Sequence, residues 1–331
     1  MAGMTTANTE ALIRAEIWSG DLKKNLEDTL MATKYVDWLQ GFPDGSTFTV
    51  PSIATAMDVN DYIEDTDIQY SALDTGEFNF QITDYVSSAT YITQKQRQDS
   101  YYAAKLEASF VPAMQRGIQE RLEVSILKQG QPGTPNGQTQ GNANKINGTA
   151  HRWVGGVTAN SKQIIGVQDF SRALASLKKA NVPDSNLIAI VDPSVEYMIN
   201  NTTNITNISN NPRWEGIIET GIGSGMRFVR NIFGFDVYTS NRLALSGLNQ
   251  TGAVETIDGV ASTGQSVCNV FFSATQDILP WMGAWRQMPK VDGQFNMNKQ
   301  REEYITTARY GLKTYRRDNF ITVLSDPSVL A

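Results

Sequence analysis

Residues 169–193 read DFSRALASLKKANVPDSNLIAIVDP, and this stretch carries the clearest local pattern in the chain. Asp169 can act as an N-cap, because its side-chain oxygen can accept from a free backbone N–H of the first helical turn. The apolar residues that follow recur at helical spacing and would form one face; they are Phe170, Leu174 and Leu177. The pattern predicts a helix that is capped by Asp169 and runs to Ala180.

The second half of the stretch predicts a helix stop, a buried strand and a second helix. Asn181-Val182-Pro183 ends the first helix, since proline cannot continue it. Residues 187–191 form a short, continuous apolar run, which is typical of a buried strand. Asp192 then offers an N-cap and Pro193 occupies the first position of the next helix. Together these elements predict a compact α+β unit over residues 166–279.

Further strands are predicted on the C-terminal side of this stretch. Two β runs at 226–233 and 235–240 meet at Gly234, and 267–273 reads as another buried strand. From residue 279 to 324 the chain is β again. Within it, residues 304–315 are predicted to form one long strand and residues 319–324 its partner in a terminal hairpin.

A long amphipathic helix is predicted on the N-terminal side, from about Asp99 to Lys128. Its apolar residues recur every four positions; they are Leu106, Phe110, Met114, Ile118, Leu122 and Ile126. Pro112 lies inside this pattern, and we expect it to kink the helix or divide it. A nearly uncharged loop rich in Gly, Asn and Gln follows, from Gln129 to Gly148.

Charge is distributed unevenly before this helix. Residues 35–94 contain no Lys or Arg but ten Asp and Glu, while polar and apolar residues alternate in segments such as 47–50 and 77–82. Residues 45–92 are therefore predicted to form an extended, mostly β arm with an acidic tip near 58–67. The tip could be read as a calcium loop, but Ile63 and Gln69 replace the Gly and Glu that an EF-hand requires. A charged surface that is solvated or faces a partner is favoured.

Composition excludes several classes of protein. The 331 residues carry a net charge of −6, which disfavours a DNA-reading function. Cys268 is the single cysteine and His151 the single histidine, so an intramolecular disulfide and most zinc sites are excluded. The residues from Met1 to Glu16 lack the apolar stretch of a signal peptide, and no apolar run reaches the ~18 residues of a membrane span. We expect a chain located in the cytoplasm.

No group of residues predicts catalysis. Gly221-Ile222-Gly223-Ser224-Gly225 resembles a phosphate-binding loop but lacks the spacing of the dinucleotide motif and has no following Lys-Ser or Lys-Thr. Glu302 and Glu303 would point to opposite faces of a strand and could not act as an acid/base pair. We therefore expect no enzyme activity, no metal and no cofactor, and Cys268 is expected to be a small core residue.

The order of these segments resembles the major capsid proteins of tailed bacteriophages, which have the Hong Kong 97 fold. The resemblance is carried by the helix, Val-Pro stop and strand ending in proline of residues 169–193. It is also carried by Gly234-Phe235-Asp236-Val237-Tyr238-Thr239-Ser240-Asn241 and by Ala308-Arg309-Tyr310-Gly311-Leu312-Lys313. The resemblance implies an α+β capsid fold with an N-terminal arm, an extended β loop, a peripheral domain with a long spine helix, and an axial domain.

The resemblance also implies a division of the chain. Residues 1–44 would be the N-terminal arm and 45–92 the extended loop that lies over a neighbouring subunit. Residues 93–165 and 280–331 would form the peripheral domain, and 166–279 the axial domain that gathers around five-fold and six-fold axes. Some family members weld their subunits by Lys–Asn isopeptide bonds, but lysine is absent from the predicted loop.

The function implied by the resemblance is structural. Pentamers and hexamers would form an icosahedral shell around double-stranded DNA, assembled in the bacterial host cytoplasm. Expected partners are other copies of the chain, a separate scaffolding protein, a portal and a decoration protein. An encapsulin-like shell around an enzyme cargo, an enzyme with a carboxylate-based site and a secreted β-rich adhesin are the alternatives.

Charge predicts how the subunits touch. Residues 286–317 hold eight basic residues against three acidic ones, so the acidic arm of one subunit could lie on this region of its neighbour, or on the long helix. The acidic candidates are Asp58, Asp61, Glu64, Asp65 and Asp67. The basic candidates are Arg116 and Arg121 on the helix, and Arg301, Arg309, Arg316 and Arg317 near the C-terminus.

Overall fold

The computed structural model describes residues 30–39, 47–53, 61, 64–65, 67, 75–99, 103–131, 145–159, 161–201, 228–246 and 254–330. The Gly-rich motif at 221–225 lies outside these ranges, and so does Asp58, a candidate for the contact between subunits. Most of the described elements are strands; the two largest sheets have four and six strands and share an apolar core with a long helix. No helix in the described ranges is both long and apolar enough to cross a membrane.

The elements of the first half are named in chain order. They are β1 (Val36–Leu39), β2 (Thr47–Ile53), β3 (Thr75–Gln81), β4 (Asp84–Thr93), α1 (Gln94–Asp99), α2 (Ala103–Leu127), β5 (Lys145–Ile146), β6 (Thr149–Ala150), β7 (Arg152–Val154), β8 (Val157–Ala159) and β9 (Lys162–Ile164). Short 3-10 turns precede β1 and follow α2, at Ala32–Tyr35 and Lys128–Gly130.

The second half adds two helices and nine strands within the described ranges. They are α3 (Val167–Lys179), β10 (Leu187–Val191), α4 (Pro193–Asn201), β11 (Phe228–Ile232), β12 (Phe235–Thr239), β13 (Thr256–Ile257), β14 (Val260–Ala261), β15 (Val267–Ser273), β16 (Trp281–Asn296), β17 (Arg301–Thr314) and β18 (Ile321–Ser325). Short 3-10 turns lie at Gln276–Ile278 and Pro327–Leu330.

The predicted buried strand, β10, lies inside a six-stranded sheet with the order β11-β12-β10-β15-β18-β7. It pairs with β12 in parallel and with β15 antiparallel, and all five of its residues are buried. Leu187, Ala189 and Val191 face the core beneath α3 and α4, while Ile188 and Ile190 face a second core. The apolar run is continuous because both faces of the strand are covered.

The second core joins the two sheets. Ile190 and Phe272 of the six-stranded sheet pack in one cluster with Ile126 of α2 and with Trp281 and Tyr310 of the other sheet. Phe272 and Trp281 meet edge to face with their ring centroids 5.0 Å apart. The end of the long helix is therefore held between the two sheets by a shared apolar core.

The cap of α3 differs from the sequence prediction. The helix begins at Val167 and its N-cap is Gly166, so Asp169 stands at the third helical position. From there the Asp169 carboxylate accepts from the N–H groups of Gly166 and Gly156 and from the indole Nε1 of Trp153. The acid thus accepts from the N–H of the N-cap residue, as the third residue of a capping box does, and it also binds a neighbouring turn. The predicted stop after Ala180 and the Asp192-Pro193 start of α4 are confirmed.

The long helix is confirmed, but it is not divided at Pro112. Helix α2 continues through this residue from Ala103 to Leu127, and a separate short helix, α1, precedes it. Pro112 is the tenth residue of α2, inside the helix, so α2 continues through it although one backbone hydrogen bond is lost there.

The predicted terminal hairpin has a different partner. Strand β17 pairs with β16 and with β4 in a four-stranded sheet of order β1-β16-β17-β4. Strand β18 instead joins the six-stranded sheet between β15 and β7. Proximity in sequence favoured a hairpin, but the fully buried β18 completes the apolar interior of the other sheet. Strand β4 likewise belongs to a sheet, although the sequence placed residues 84–92 in the arm.

Candidate inter-subunit surface

The four-stranded sheet has one covered face and one open face. Along β17, Thr306, Tyr310 and Thr314 point toward α2 and the turn after it. Tyr310 Oη lies 3.2 Å from Ser125 Oγ, and Thr306 Oγ1 lies 3.9 Å from Met114 Sδ. Because successive side chains alternate between faces, the odd-numbered residues 305–309 point the other way. Ile305 on that open face is 40% exposed.

Aromatic and basic side chains share the open face. Strand β4 places Tyr85 opposite Arg309 and Tyr91 opposite Glu303, and both tyrosines are more than half exposed. The guanidinium of Arg301 lies 4.3 Å from the ring centroid of Tyr91, and its Nε donates to Glu303 Oε1 at 2.6 Å. Arg301, one of the predicted contacts, is therefore already engaged within its own chain.

Arg309 stands in a different environment. It lines a pocket of about 630 Å³ together with Thr83, Tyr85, Arg286 and Gln287. Among the residues that the structure describes, no carboxylate lies within ion-pair distance of Arg309. Arg309 therefore has no counter-charge among the described residues at this pocket, which lies at the start of β4.

The two basic candidates on the long helix also differ. Arg116 Nε donates to Glu120 Oε1 at 3.0 Å, and Arg242 Nη2 donates to the same oxygen at 3.1 Å. Arg121 is exposed and forms no ion pair with a described residue. Arg116 also lines a groove of about 710 Å³ beside Trp38 and Trp285, whose rings stack 5.1 Å apart.

The remaining basic candidates follow β17. Arg316 and Arg317 are exposed, and the Arg316 guanidinium lies 5.2 Å from the ring centroid of Tyr315. The backbone N–H of Arg316 donates to Pro280 O, which fixes the chain after the strand. These arginines lie beyond the end of the sheet rather than on its open face.

The acidic candidates that the structure describes are all exposed: Asp61, Glu64, Asp65 and Asp67. Asp65 has a positive φ of 66°, a left-handed conformation that Asp tolerates better than most residues. Within the described residues no ion pair joins these acids to the basic candidates.

Sequence reasoning missed two buried charged groups that organise this part of the fold. The carboxylate of Glu123, 1% exposed, accepts from the backbone N–H groups of Met31 and Ala32 and so holds the 3-10 turn before β1 on α2. Arg152 is buried between Glu255 and Gly130 O, which links the end of the long helix to the six-stranded sheet. Spacing along the sequence gives no signal for either, because the partners lie about 90 to 100 residues apart.

The nucleophilic and titratable groups of the interior are shielded. Burial raises the pKa of the Cys268 thiol, which favours the unreactive protonated form. Burial also lowers the pKa of His151, whose Nδ1 lies 3.2 Å from Thr149 O. In the described ranges no three His, Cys, Asp or Glu residues are grouped as metal ligands would be. Cys268 is thus the core residue that its sequence context predicts.

Comparison with known proteins gives structural matches alone. No protein-family model and no curated protein sequence matches this chain. The capsid of cyanophage P-SCSP1u is similar over 98% of this chain and 95% of its own, with a TM-score of 0.68 and 13% identity. The mature capsid of bacteriophage PhiM1 covers 94% and 92%, with a TM-score of 0.65 and 11% identity.

A third structure extends the likeness. The capsid of Ralstonia phage GP4 is similar over 95% of both chains, with a TM-score of 0.64 and 10% identity. At these identities the likeness concerns the fold, and it includes nearly the whole length of each chain. The chain therefore has the Hong Kong 97-like α+β fold of phage capsid proteins.

Proposed function

We propose that this chain is a major capsid protein whose copies assemble as pentamers and hexamers into an icosahedral shell around double-stranded DNA. The observation that carries the proposal is the end-to-end match to phage capsid subunits, in which neither chain has a large unmatched part. A shell lining that bound DNA tightly would hinder its entry and release, and the acidic balance of this chain suits that requirement.

The proposed parts follow the sequence expectation with one adjustment. Residues 1–44 act as an N-terminal arm, 45–92 include the extended loop, 93–165 and 280–331 form the peripheral domain, and 166–279 the axial domain. The adjustment concerns β7 and β18, which lie in the segments of the peripheral domain. Both strands pair within the six-stranded sheet, whose other strands belong to the proposed axial domain. A scaffolding protein, a portal and a decoration protein are the further proposed partners, and assembly takes place in the bacterial cytoplasm.

The acidic arm is proposed to contact the basic surface of a neighbouring subunit. Support comes from the exposure of Asp61, Glu64, Asp65 and Asp67, and from Arg309, which has no carboxylate within ion-pair distance among the described residues. Asp58, Arg116, Arg121, Arg301, Arg316 and Arg317 complete the proposed set. Arg301 and Arg116 already have carboxylate partners in their own chain, so Arg309 and Arg121 are the stronger candidates.

Light scattering of the purified chain tests the proposal. Pentamers, hexamers or larger particles are expected, because in the described residues β2 and β3 pair only with each other, and a two-stranded ribbon is marginal in water on its own. A well-folded monomer at high protein concentration would contradict a shell function.

An encapsulin-like compartment has the same fold but would hold an enzyme cargo instead of DNA, so the contents of purified particles distinguish the two.

A further inference from the structure

Two arginines meet at one pocket on the open face of the four-stranded sheet. The pocket, of about 630 Å³, is lined by Arg286 of β16 and Arg309 of β17, together with Thr83, Tyr85 and Gln287. The residues directly opposite Arg309 in the two neighbouring strands are Gln287 and Tyr85, and neither of them is an acid. The pocket therefore brings together two guanidinium groups and three uncharged polar side chains.

A β-bulge in β16 shapes this pocket. Trp285 pairs with Tyr310 and Gln287 pairs with Arg309, so two residues of β16 occupy one step of β17. In a regular ladder Arg286 and Arg309 would stand directly opposite each other, as like charges that repel. The bulge instead lets Arg286 and Gln287 share the place opposite Arg309, and both of them line the pocket.

Proline does not account for this bulge. Strand β16 has a second irregularity between Gln287 and Lys290, where Pro289 lacks the N–H that a regular ladder requires. The first bulge, at residues 285–287, contains neither proline nor glycine. Bulges re-aim side chains and are common beside functional sites. The placement of the two side chains at the pocket gives this bulge a physical reason.

The same sheet arranges other basic groups differently. Lys290 Nζ lies 2.8 Å from Asp292 Oδ1, two residues further along β16. Arg301 Nε donates to Glu303 Oε1 at 2.6 Å, again within one strand. At those positions the strands set a basic group beside an acidic one, whereas at the pocket they set a basic group beside a basic one.

The chemistry of the pocket suits an anion with several oxygens. A guanidinium presents its N–H donors as a planar fork, and one fork already engages both oxygens of a carboxylate. Two forks at one pocket fit the three or four oxygens of a phosphate group better. Asp84, the acid at the start of β4, is opposite Tyr310, whose hydroxyl points toward α2. Its carboxylate therefore belongs to the other face of the sheet and would not repel an anion in the pocket.

We propose that this pocket binds a phosphate group, whose oxygens accept from the guanidinium groups of Arg286 and Arg309. A bound anion removes the repulsion between the two like charges, so binding stabilises the folded subunit. Inorganic phosphate and the backbone of a nucleic acid carry the same chemical group, and either can supply it. The site belongs to a single subunit, so it does not depend on the proposed shell function.

Titration calorimetry of the full chain with inorganic phosphate tests the site. We expect one saturable phosphate per chain when sodium chloride keeps the ionic strength constant, because general screening is then unchanged. Arg286→Gln and Arg309→Gln should each weaken binding at least about tenfold, since charge-assisted hydrogen bonds are lost. Arg316→Gln removes an exposed arginine beyond the end of the sheet and should bind as the unaltered chain does. No saturable binding, or equal weakening in all three variants, would overturn the proposal.

Arginine labelling gives a second test that needs no variant. Phenylglyoxal modifies guanidinium groups, and mass spectrometry of the peptides reports the rate at each arginine. At about ten times its dissociation constant, phosphate should slow the modification of Arg286 and Arg309 about tenfold, because only about a tenth of the sites are then unoccupied. The exposed Arg316 and Arg317 are internal controls and should react at unchanged rates. Unchanged rates at both pocket arginines would show that the pocket holds no phosphate.

Competition in the same labelling reaction distinguishes the possible occupants. A short double-stranded DNA should protect Arg286 and Arg309 if the site takes a nucleic-acid backbone, whereas protection by inorganic phosphate alone would assign a small phosphate. A carboxylate of the acidic arm, proposed above as a contact of Arg309, would compete for the same guanidinium. Protection by acetate but not by phosphate would therefore assign the pocket to a carboxylate. That result would overturn the phosphate site and leave the shell function intact.

Discussion

Arg152 and Glu255 form a bidentate ion pair in the interior of the protein. Nε and Nη2 of Arg152 donate to Oε1 and Oε2 of Glu255, each over 2.8 Å, and both side chains are at most 4% exposed. Nη1 of Arg152 also donates to Gly130 O at the end of the long helix. One arginine thus joins the helix, the six-stranded sheet and the segment that leads into β13.

Removal of one partner of this pair should destabilise the subunit strongly. Glu255→Gln leaves a buried guanidinium without its counter-charge, and we expect a loss of about 3–5 kcal/mol in the free energy of unfolding. Urea denaturation of the dissociated subunit measures the loss. Asp258→Asn, which breaks the exposed pair with Lys145, is the control and should cost no more than about 1 kcal/mol. Equal losses in the two variants would contradict the structural role of the buried pair.

Two glycines should respond in opposite directions to alanine. A Cβ on Gly155 would lie 2.3 Å from the backbone oxygen of Ile164, and we expect Gly155→Ala to cost at least about 1–3 kcal/mol. Gly117 is exposed in α2 with no atom within 4 Å of the added Cβ, so Gly117→Ala should stabilise by about 0.5–1 kcal/mol. Thermal unfolding of both variants checks the pair of predictions, and a stabilised Gly155→Ala would show that the turn is packed differently.

Stability should fall below neutral pH because of the single histidine. Burial lowers the pKa of His151, and the nearby Asp318 opposes this shift only in part. The unfolded chain therefore binds the proton first, so the stabilisation from His151 is complete above about pH 6.5 and is lost as the pH falls below that value. Urea midpoints at pH 7.5 and 5.5 measure the loss, and His151→Asn should reduce it. An unchanged pH dependence in that variant would assign the effect to other groups.

Charge reversal in the acidic arm should impair assembly without unfolding the subunit. Asp65 and Asp67 are exposed, so Asp65→Lys with Asp67→Lys should leave thermal unfolding unchanged but lower the yield of particles. Arg309→Glu or Arg121→Glu should restore part of the yield if that arginine is the partner. Normal assembly of the double reversal at both low and moderate salt would show that apolar and backbone contacts hold the arm.

The sequence predicted local elements better than their pairing. Strand β15 lies at Val267–Ser273 as predicted, and β10 and α4 were found because apolar runs and caps are local signals. The strand predicted to pair with β17 was wrong, since the choice between β18 and β16 depends on packing across both sheets. The N-cap of α3 is Gly166, three residues before the predicted Asp169. The carboxylate of Asp169 accepts from the N–H of Gly166 from inside the first turn.

The candidate contacts could be predicted only as a charge pattern. Ten acids without a basic residue in 35–94 are visible in the sequence, and so is the basic C-terminal region. The sequence does not reveal that Arg301 is engaged by Glu303 while Arg309 has no carboxylate among the described residues. Strand alternation and register decide that difference, and the register follows from pairing over more than 200 residues of chain separation.

Electron microscopy of the purified chain tests the central claim most directly. We expect closed particles of uniform diameter with icosahedral symmetry, in which each subunit contacts its neighbours through the extended ribbon. Such particles would agree with a shell function for the fold. A uniform population of monomers or small open oligomers, folded and stable under the conditions in which related capsid subunits assemble, would contradict it.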